Sequence, residues 1–319
     1  MSDWQVRAAT VADYPRLVEI FNQVTHPSTV EDFVRLDEQR AASGLNLRVL
    51  LADEAGAVHA FGGLTVDAWR SEGTYMLQVV VDPAAAGQGL GAQLHGYLEA
   101  EARRLGARLA VSNVRDDRPE WLAWAERRGY RVTNQYFKSE LDLRSYDPAP
   151  FRPAVDRARA AGYRFFTLAD VEEEAGKRRL YAVDMEAAID EPGIETTKWP
   201  PITYPEYCAQ MFQPPLYDPR AVVVAARGDD WAGFTGLHFR PQSGSAWVSF
   251  TGVLRPHRGQ GLAQALKVLS AEYALAQGWT KIGTSNNARN PAMLAVNRKL
   301  GFVQMPGMYV VEKGLAVDS

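Results

Sequence analysis

The chain has 319 residues, enough for two domains with a buried core in each. Hydrophobic residues make up 46% and charged residues 23%, the balance of a soluble globular protein. The formal net charge of −3 leaves no basic footprint for nucleic acid and no polybasic patch for a membrane. A single cysteine, Cys208, excludes an internal disulfide framework and a multi-thiolate metal site. The histidines (26, 59, 95, 238 and 257) lack HxxxH spacing, so no metal is expected. The first residues carry no apolar signal core, and no run reaches membrane-spanning length. A cytoplasmic, reducing location is the expectation.

In chain order, residues 5–9 read as a strand, followed by a helix starting near the Thr10-x-Ala12-Asp13 cap and then by a second helix. A hairpin follows, with strands 48–52 and 58–68 flanking Asp53-Glu-Ala-Gly. Strand 75–81 enters a glycine-rich turn and helix 90–105, and strand 108–113, helix 119–128 and strand 134–143 complete the half. A proline-bearing linker, 144–150, leads to a connecting helix over 152–161. The same order then recurs. Strand 163–167, two helices, strands 221–226 and 232–239, strand 247–253, a second glycine turn, helix 262–277, strand 281–285, helix 291–300 and strand 304–312 follow.

The recurrence keeps register. Gly89 and Gly261 are 172 positions apart, and so are Gly129-Tyr130 and Gly301-Phe302. Thr10–Asp13 and Thr167–Asp170 are only 157 apart, so the second half holds about 15 extra residues, roughly over 189–213. Two domains, 1–145 and 146–319, are expected, each an α/β unit with a mixed sheet and helices on both faces.

The turns carry the chemistry. Residues 81–91 read Val-Asp-Pro-Ala-Ala-Ala-Gly-Gln-Gly-Leu-Gly, and residues 253–263 read Val-Leu-Arg-Pro-His-Arg-Gly-Gln-Gly-Leu-Ala. Glycines at 259 and 261 let a ligand approach the backbone, and the amides of residues 259–263 at a helix start have no intrahelical acceptor. Such amides suit a diphosphate, helped by the helix dipole and by the Arg258 charge. A P-loop is excluded because Gly-Leu-Ala and Gly-Leu-Gly stand where Gly-Lys-Ser/Thr is needed. A dinucleotide fingerprint on Gly87-x-Gly89-x-x-Ala92 fails in the second copy, where Gln264 takes the last place.

With the turn Arg258-Gly-Gln-Gly261-Leu-Ala263 and the downstream run from Thr284 through Asn286, Asn290 and Asn297 to Gly301-Phe302, the chain resembles the GNAT superfamily of N-acetyltransferases. The resemblance covers nearly the whole chain as two tandem units, an arrangement similar to that of mycothiol synthases. It implies acetyl-CoA as co-substrate and an acetyl group passed directly to an amine of a small molecule, with no metal. It assigns coenzyme A to Thr251, Gly252, Val253, Arg258, Gly259, Gln260, Gly261, Leu262, Ala263, Asn286, Asn290 and Asn297. The pantetheine arm would lie along strand 247–253 like an added strand. The first copy has Ala86, Val114, Arg118 and Ala125 where the second has Arg258, Asn286, Asn290 and Asn297. The second half is therefore expected to carry the chemistry.

By the same resemblance, Val253 or its neighbour supplies the main-chain donor for the thioester oxygen. Many family members place a tyrosine acid four residues before the Gly-Phe pair; here Asn297 stands there, able to donate a hydrogen bond but not a proton, so the acid is missing, unnecessary or supplied from elsewhere, with Tyr309 of the last strand a candidate. The cluster Asp190-Glu191-Pro-Gly-Ile-Glu195 offers a base, with Glu191 the candidate. His238 reads as a packed strand histidine, and His257 as a contact for phosphate or solvent. Trp199, Tyr204, Tyr207, Phe212 and Tyr217 read either as an acceptor pocket or as packing, and Trp121 and Trp124 as packing. A non-catalytic acyl-CoA-binding or regulatory protein is the alternative reading. The acceptor, the acyl length and the choice of monomer or homodimer are not legible.

Overall fold

The computed structural model describes residues 4–25, 27–42, 44–67, 70–192, 202–212, 217–240 and 244–315. Two compact units form, one from the described residues up to 133 with 309–315 and the other from those between 134 and 308.

In the first unit, β1 (Gln5–Ala8), β2 (Asn46–Ala52), β3 (Val58–Val66) and β4 (Thr74–Val81) pair antiparallel in sequence order. β5 (Leu109–Arg115) joins β4 in parallel, but only from Thr74↔Leu109 to Met76↔Val111. α1 (Tyr14–Val24) and α2 (Val30–Ala42) cover one face, where Tyr14, Leu17, Phe33 and Phe61 cluster. α3 (Leu90–Arg104) covers the other with Leu90, Leu94, Leu98 and Ala102, an i, i+4 stripe. α4 (Pro119–Glu126) lies on that side too, and Trp121 and Trp124 pack against its core as the sequence suggested.

The second unit repeats the plan. β7 (Arg164–Thr167), β8 (Tyr217–Arg227), β9 (Asp230–Arg240) and β10 (Ser245–Val253) pair antiparallel, and β11 (Lys281–Asn287) joins β10 in parallel. α6 (Glu173–Ala188) packs on one face with Leu180 and Val183 against Val222, Val224 and Phe234. α7 (Tyr204–Met211), in the added segment, packs on α6. α8 (Leu262–Ala276) fills the other face and is itself covered by α5 (Arg152–Ala160). That cover explains why α8 is apolar nearly all round. α9 (Pro291–Lys299) follows β11. The Thr-x-x-Asp caps at Thr10 and Thr167 are both formed as capping boxes. Each opens a short 3-10 turn, with α1 following directly and α6 after its own Glu172 cap.

The final strands do not close their own halves. β6 (Arg131–Asp142) pairs antiparallel with β11 from Lys281↔Asp142 to Asn287↔Tyr136, and Leu141 and Leu143 enter the second core. From Tyr309 onward, β12 (Val303–Gly314) belongs to the first unit. There Val311 and Leu315 are buried, Leu315 N donates to Arg108 O at 2.8 Å, and Lys313 Nζ donates to Glu99 at 2.7 and 2.9 Å. The spatial division thus departs from the 1–145 and 146–319 halves expected from the linker. A strand's inside–outside alternation is satisfied equally by either of two homologous sheets, so sequence order does not choose between them.

One position of the repeat holds a buried base in each unit. His95 of α3 is hydrogen-bonded to Tyr130 at 3.2 Å, and burial lowers its pKa to about 4. Lys267 of α8, at the equivalent position, is buried with Nζ lacking a hydrogen-bond partner. Its ammonium lies 5.2 Å from the Phe302 ring centroid, and burial lowers its pKa from 10.5 to about 7. The unfolded lysine holds its proton up to pH 10.5 and the folded one only to about 7, so this site penalises folding below pH 7 and the penalty fades between 7 and 10.5. Lys267→Met is expected to raise stability by about 1–4 kcal/mol near neutral pH. Urea midpoints should show the gain shrinking as pH rises through that window.

Among the described residues no helix is long and apolar enough to cross a membrane.

Candidate active site

The slot in the second unit begins where β10 and β11 separate. They pair only from Ser245↔Lys281 to Trp247↔Gly283, and the rest of β10 diverges from β11. A bulge between Val248 and Phe250 accompanies the divergence; β4 pairs with β3 without one. Leu254 N donates to Ala232 O on β9 at 2.9 Å. By ladder alternation, the N–H groups of Val253 and Thr251 therefore face the open side of β10.

The slot ends on the glycine turn. Gly259 and Gly261 have φ of +76° and +75°, a region closed to most L-residues, and a Cβ on either would meet nothing within 4 Å. The turn is thus fixed by backbone conformation while the space before it stays open. Gly261 is the N-cap of α8, so the amides at 259–263 face that space with no intrahelical acceptor. Arg258 stands beside it, Nε donating to Val253 O at 2.8 Å and Nη2 pairing with Asp190 at 2.8 Å. Gly87 and Gly89 of the first unit keep the conformation, both at φ +82°, without the arginine.

Of the remaining residues assigned from sequence, Asn297 and Asn286 come together. Asn297 Nδ2 donates to Asn286 Oδ1 at 2.6 Å, and Asn297 Oδ1 is buried with no donor. An orphaned buried acceptor of this kind is available to an N–H group of a ligand. Asn290 has a capping role instead, its Oδ1 accepting from Met293 N at 3.1 Å to start α9. Thr251 turns its hydroxyl onto Thr235 Oγ1 at 2.8 Å, so only its main chain faces the slot. Gly252 admits α6, since a Cβ there would collide with Phe250 and lie 2.7 Å from Ala187.

The acidic cluster divides. Asp190 is no base. Arg255 donates to it in bidentate fashion (Nε at 2.8 Å) and Arg258 adds to this, holding its carboxyl down at about 2. Glu191 is exposed to solvent yet close enough to protein that desolvation raises its pKa. Just beyond it, Asn287 Nδ2 donates to Pro192 O at 2.7 Å, tying this segment to the end of β11. Glu195, Trp199, Pro200 and Pro201, like Pro214 and Pro215, lie outside the described residues.

Asp184 joins this group, and the sequence reading missed it. It is 7% exposed on α6, it accepts from the Tyr207 hydroxyl at 2.9 Å, and burial, with the Glu191 charge, pushes its carboxyl up to about 7. The signal was present: Leu180, Val183, Asp184 and Ala187 form one i, i+3, i+4, i+7 stripe, so this acid sits among core positions.

Tyr309 is not in this unit. It packs against the core of the first, which the strand exchange explains, and its place beside β11 is taken by Phe137. Tyr136 of β6 stands opposite Asn287 of β11, its hydroxyl accepting from Asn134 Nδ2 at 3.3 Å. His238 is a packed histidine, its pKa lowered by burial against a hydrogen bond to the Met211 backbone. His257 is half-exposed, and its Nδ1 pairs with the Tyr163 hydroxyl at 3.0 Å. The aromatics pack: Tyr181, Tyr207, Phe212 and Tyr217 form an edge-to-face chain with centroids 5.0–5.7 Å apart.

Comparison with known proteins places this geometry. The model of the Acetyltransferase (GNAT) family matches residues 14–130 and again 180–302, together most of the chain. The chain is 34% identical over 91 residues to mycothiol acetyltransferase of Streptomyces scabiei, a match covering 28% of this chain and 29% of that protein. It is 32% identical over 141 residues to L-methionine sulfoximine/L-methionine sulfone acetyltransferase of Salmonella typhimurium, covering 41% of this chain and 81% of that one. A GCN5-related N-acetyltransferase from Sphaerobacter thermophilus shares the fold over 98% of this chain and 95% of its own, with a TM-score of 0.75 at 21% identity. With the divergent strands and the glycine turn built twice, the chain belongs to the acetyltransferase (GNAT) family and carries its domain in two copies.

Proposed function

We propose that the second unit is an N-acetyltransferase moving an acetyl group from acetyl-CoA directly to an amine of a small molecule. The observation that carries this reading is the divergence of β10 from β11 beside a glycine turn whose amides at Gly259–Ala263 have no intrahelical acceptor. Acetyl-CoA supplies the activated acyl group. The turn amides and Arg258 hold its diphosphate; Arg258 would exchange Asp190 for phosphate, leaving Asp190 on Arg255. Asn297 Oδ1 accepts from a pantetheine amide. The open N–H groups of Thr251 and Val253 are placed for the arm and for the oxygen on which charge develops.

The acceptor amine is mostly protonated at neutral pH. Glu191 takes its proton, directly or through water, and the raised pKa improves its match to that task. Asp184 backs it from within α6 and, with Glu191, attracts a cationic amine. In this reading Tyr136, on the strand beside β11, returns a proton to the thiolate in place of Tyr309. Both relatives are named for acetylating small molecules, which supports the same class of acceptor here. The first unit serves a mainly structural role.

The test is thiol release from acetyl-CoA with a panel of small primary amines, including amino-acid and amino-sugar derivatives. Turnover with at least one class supports the proposal. Coenzyme A binding without turnover on any class would favour the non-catalytic alternative, which the acetyltransferase relatives do not favour.

A further inference from the structure

The first unit contains a cavity of about 100 Å³ bounded by Arg40 of α2, Gly63 and Thr65 of β3, Met76 and Gln78 of β4, and Asn113 of β5. It lies where β4 and β5 stop pairing. Its charge is unbalanced. Asp37, 8% exposed, accepts from Arg48 through Nε at 2.8 Å and through Nη2, and also from the Tyr14 hydroxyl. Arg48 is buried as well and lies 4.8 Å from the Phe33 ring centroid, so this pair is complete in itself. Among the described residues, Arg40 pairs with the same, already occupied Asp37, at 3.9 Å. Two guanidinium groups thus share one carboxylate. Burial and the neighbouring Arg48 charge lower the Arg40 pKa, as expected for a cation lacking a full counter-charge. Gln78 is half-buried and Asn113 exposed, and neither side-chain amide is hydrogen-bonded to another described residue, so both are available to a ligand.

We propose that this cavity binds a small free carboxylate, with Arg40 donating to its oxygens and Gln78 and Asn113 completing the hydrogen bonds. A guanidinium fork matches a planar carboxylate in bidentate fashion. A space of about 100 Å³ accommodates a small carboxylate such as acetate or glycolate. Among the described residues the second unit has no counterpart to the Asp37–Arg48 pair: Val222 faces Gly236 where Arg48 faces Gly63, and acids at its acceptor side include Asp184 and Glu191. The acceptor sides of the two units would therefore favour ligands of opposite charge.

Isothermal titration of the full chain with sodium acetate, glycolate and malonate, against sodium phosphate and sulfate at equal ionic strength, tests this. Saturable carboxylate binding is expected, roughly tenfold weaker for phosphate and sulfate. It should be lost in Arg40→Gln and in Asn113→Leu, which fills the opposite wall, and kept in Gly261→Asp, which blocks the other anion site. No saturable carboxylate heat, equal binding of phosphate, or binding retained in Asn113→Leu would overturn the proposal. Should Arg40→Gln fail the circular-dichroism check for folding, Asn113→Leu decides alone.

Discussion

Replacing Glu191 by Gln is expected to lower kcat by about 10²–10⁴-fold, the usual cost of removing a positioned general base, with the KM for acetyl-CoA nearly unchanged. The reason is spatial. The amide keeps the volume and the contacts of the 190–192 segment, which Arg255 and Asn287 hold independently of this side chain. In the wild type, kcat/KM should rise with pH above the ordinary carboxylate range, because desolvation raises the Glu191 pKa and only the ionised form accepts a proton. That limb should vanish in Glu191→Gln. Tyr309→Phe should run like the wild type, since Tyr309 packs in the first unit. Asp184→Asn separates the neighbouring acid. Its carboxyl titrates near 7 when folded and near 3.8 when unfolded, so the folded state holds the extra proton between those values. Stability should fall as pH rises through that window and stay level above it, and the asparagine variant should flatten the curve. Pre-steady-state acetyl transfer across pH, with urea midpoints on the same samples, checks both. An unchanged kcat in Glu191→Gln would move the base elsewhere.

Gly261→Asp should abolish acetyl-CoA binding, and Arg258→Ala should weaken it by on the order of 10–100-fold, the worth of one or two charge-assisted hydrogen bonds. The two act differently. Gly261 has φ +75°, so any side chain strains the N-cap of α8, and an aspartate also places a negative charge in the open space meant for the diphosphate. Arg258→Ala leaves the turn intact and removes a single cation. It also removes the donor to Val253 O, while Asp190 stays on Arg255. In the first unit the matching position is already Ala86, so Ala86→Glu should change turnover little. Direct titration of coenzyme A into the three variants separates these outcomes. Full binding in Gly261→Asp would place the diphosphate elsewhere.

The sequence by itself determined the elements, their doubling and the turn. These are local matters: a capping box needs four residues, a left-handed turn needs glycine where φ is positive, and an amphipathic helix shows its stripe in two turns. The loss of Arg258, Asn286 and Asn297 equivalents in the first copy was readable for the same reason. Only the tertiary structure decided which sheet each final strand completes, and with it that Tyr309 leaves the second unit while Tyr136 enters it. It also decided which acid of the cluster stays free. Asp190 meets arginines 65 and 68 positions away, whereas Asp184 lies under Tyr207, where burial rather than sequence neighbours sets its proton affinity. Alternation along a strand and charge along a loop are the same in either environment. What distinguishes them is long-range packing, which no short window of residues contains.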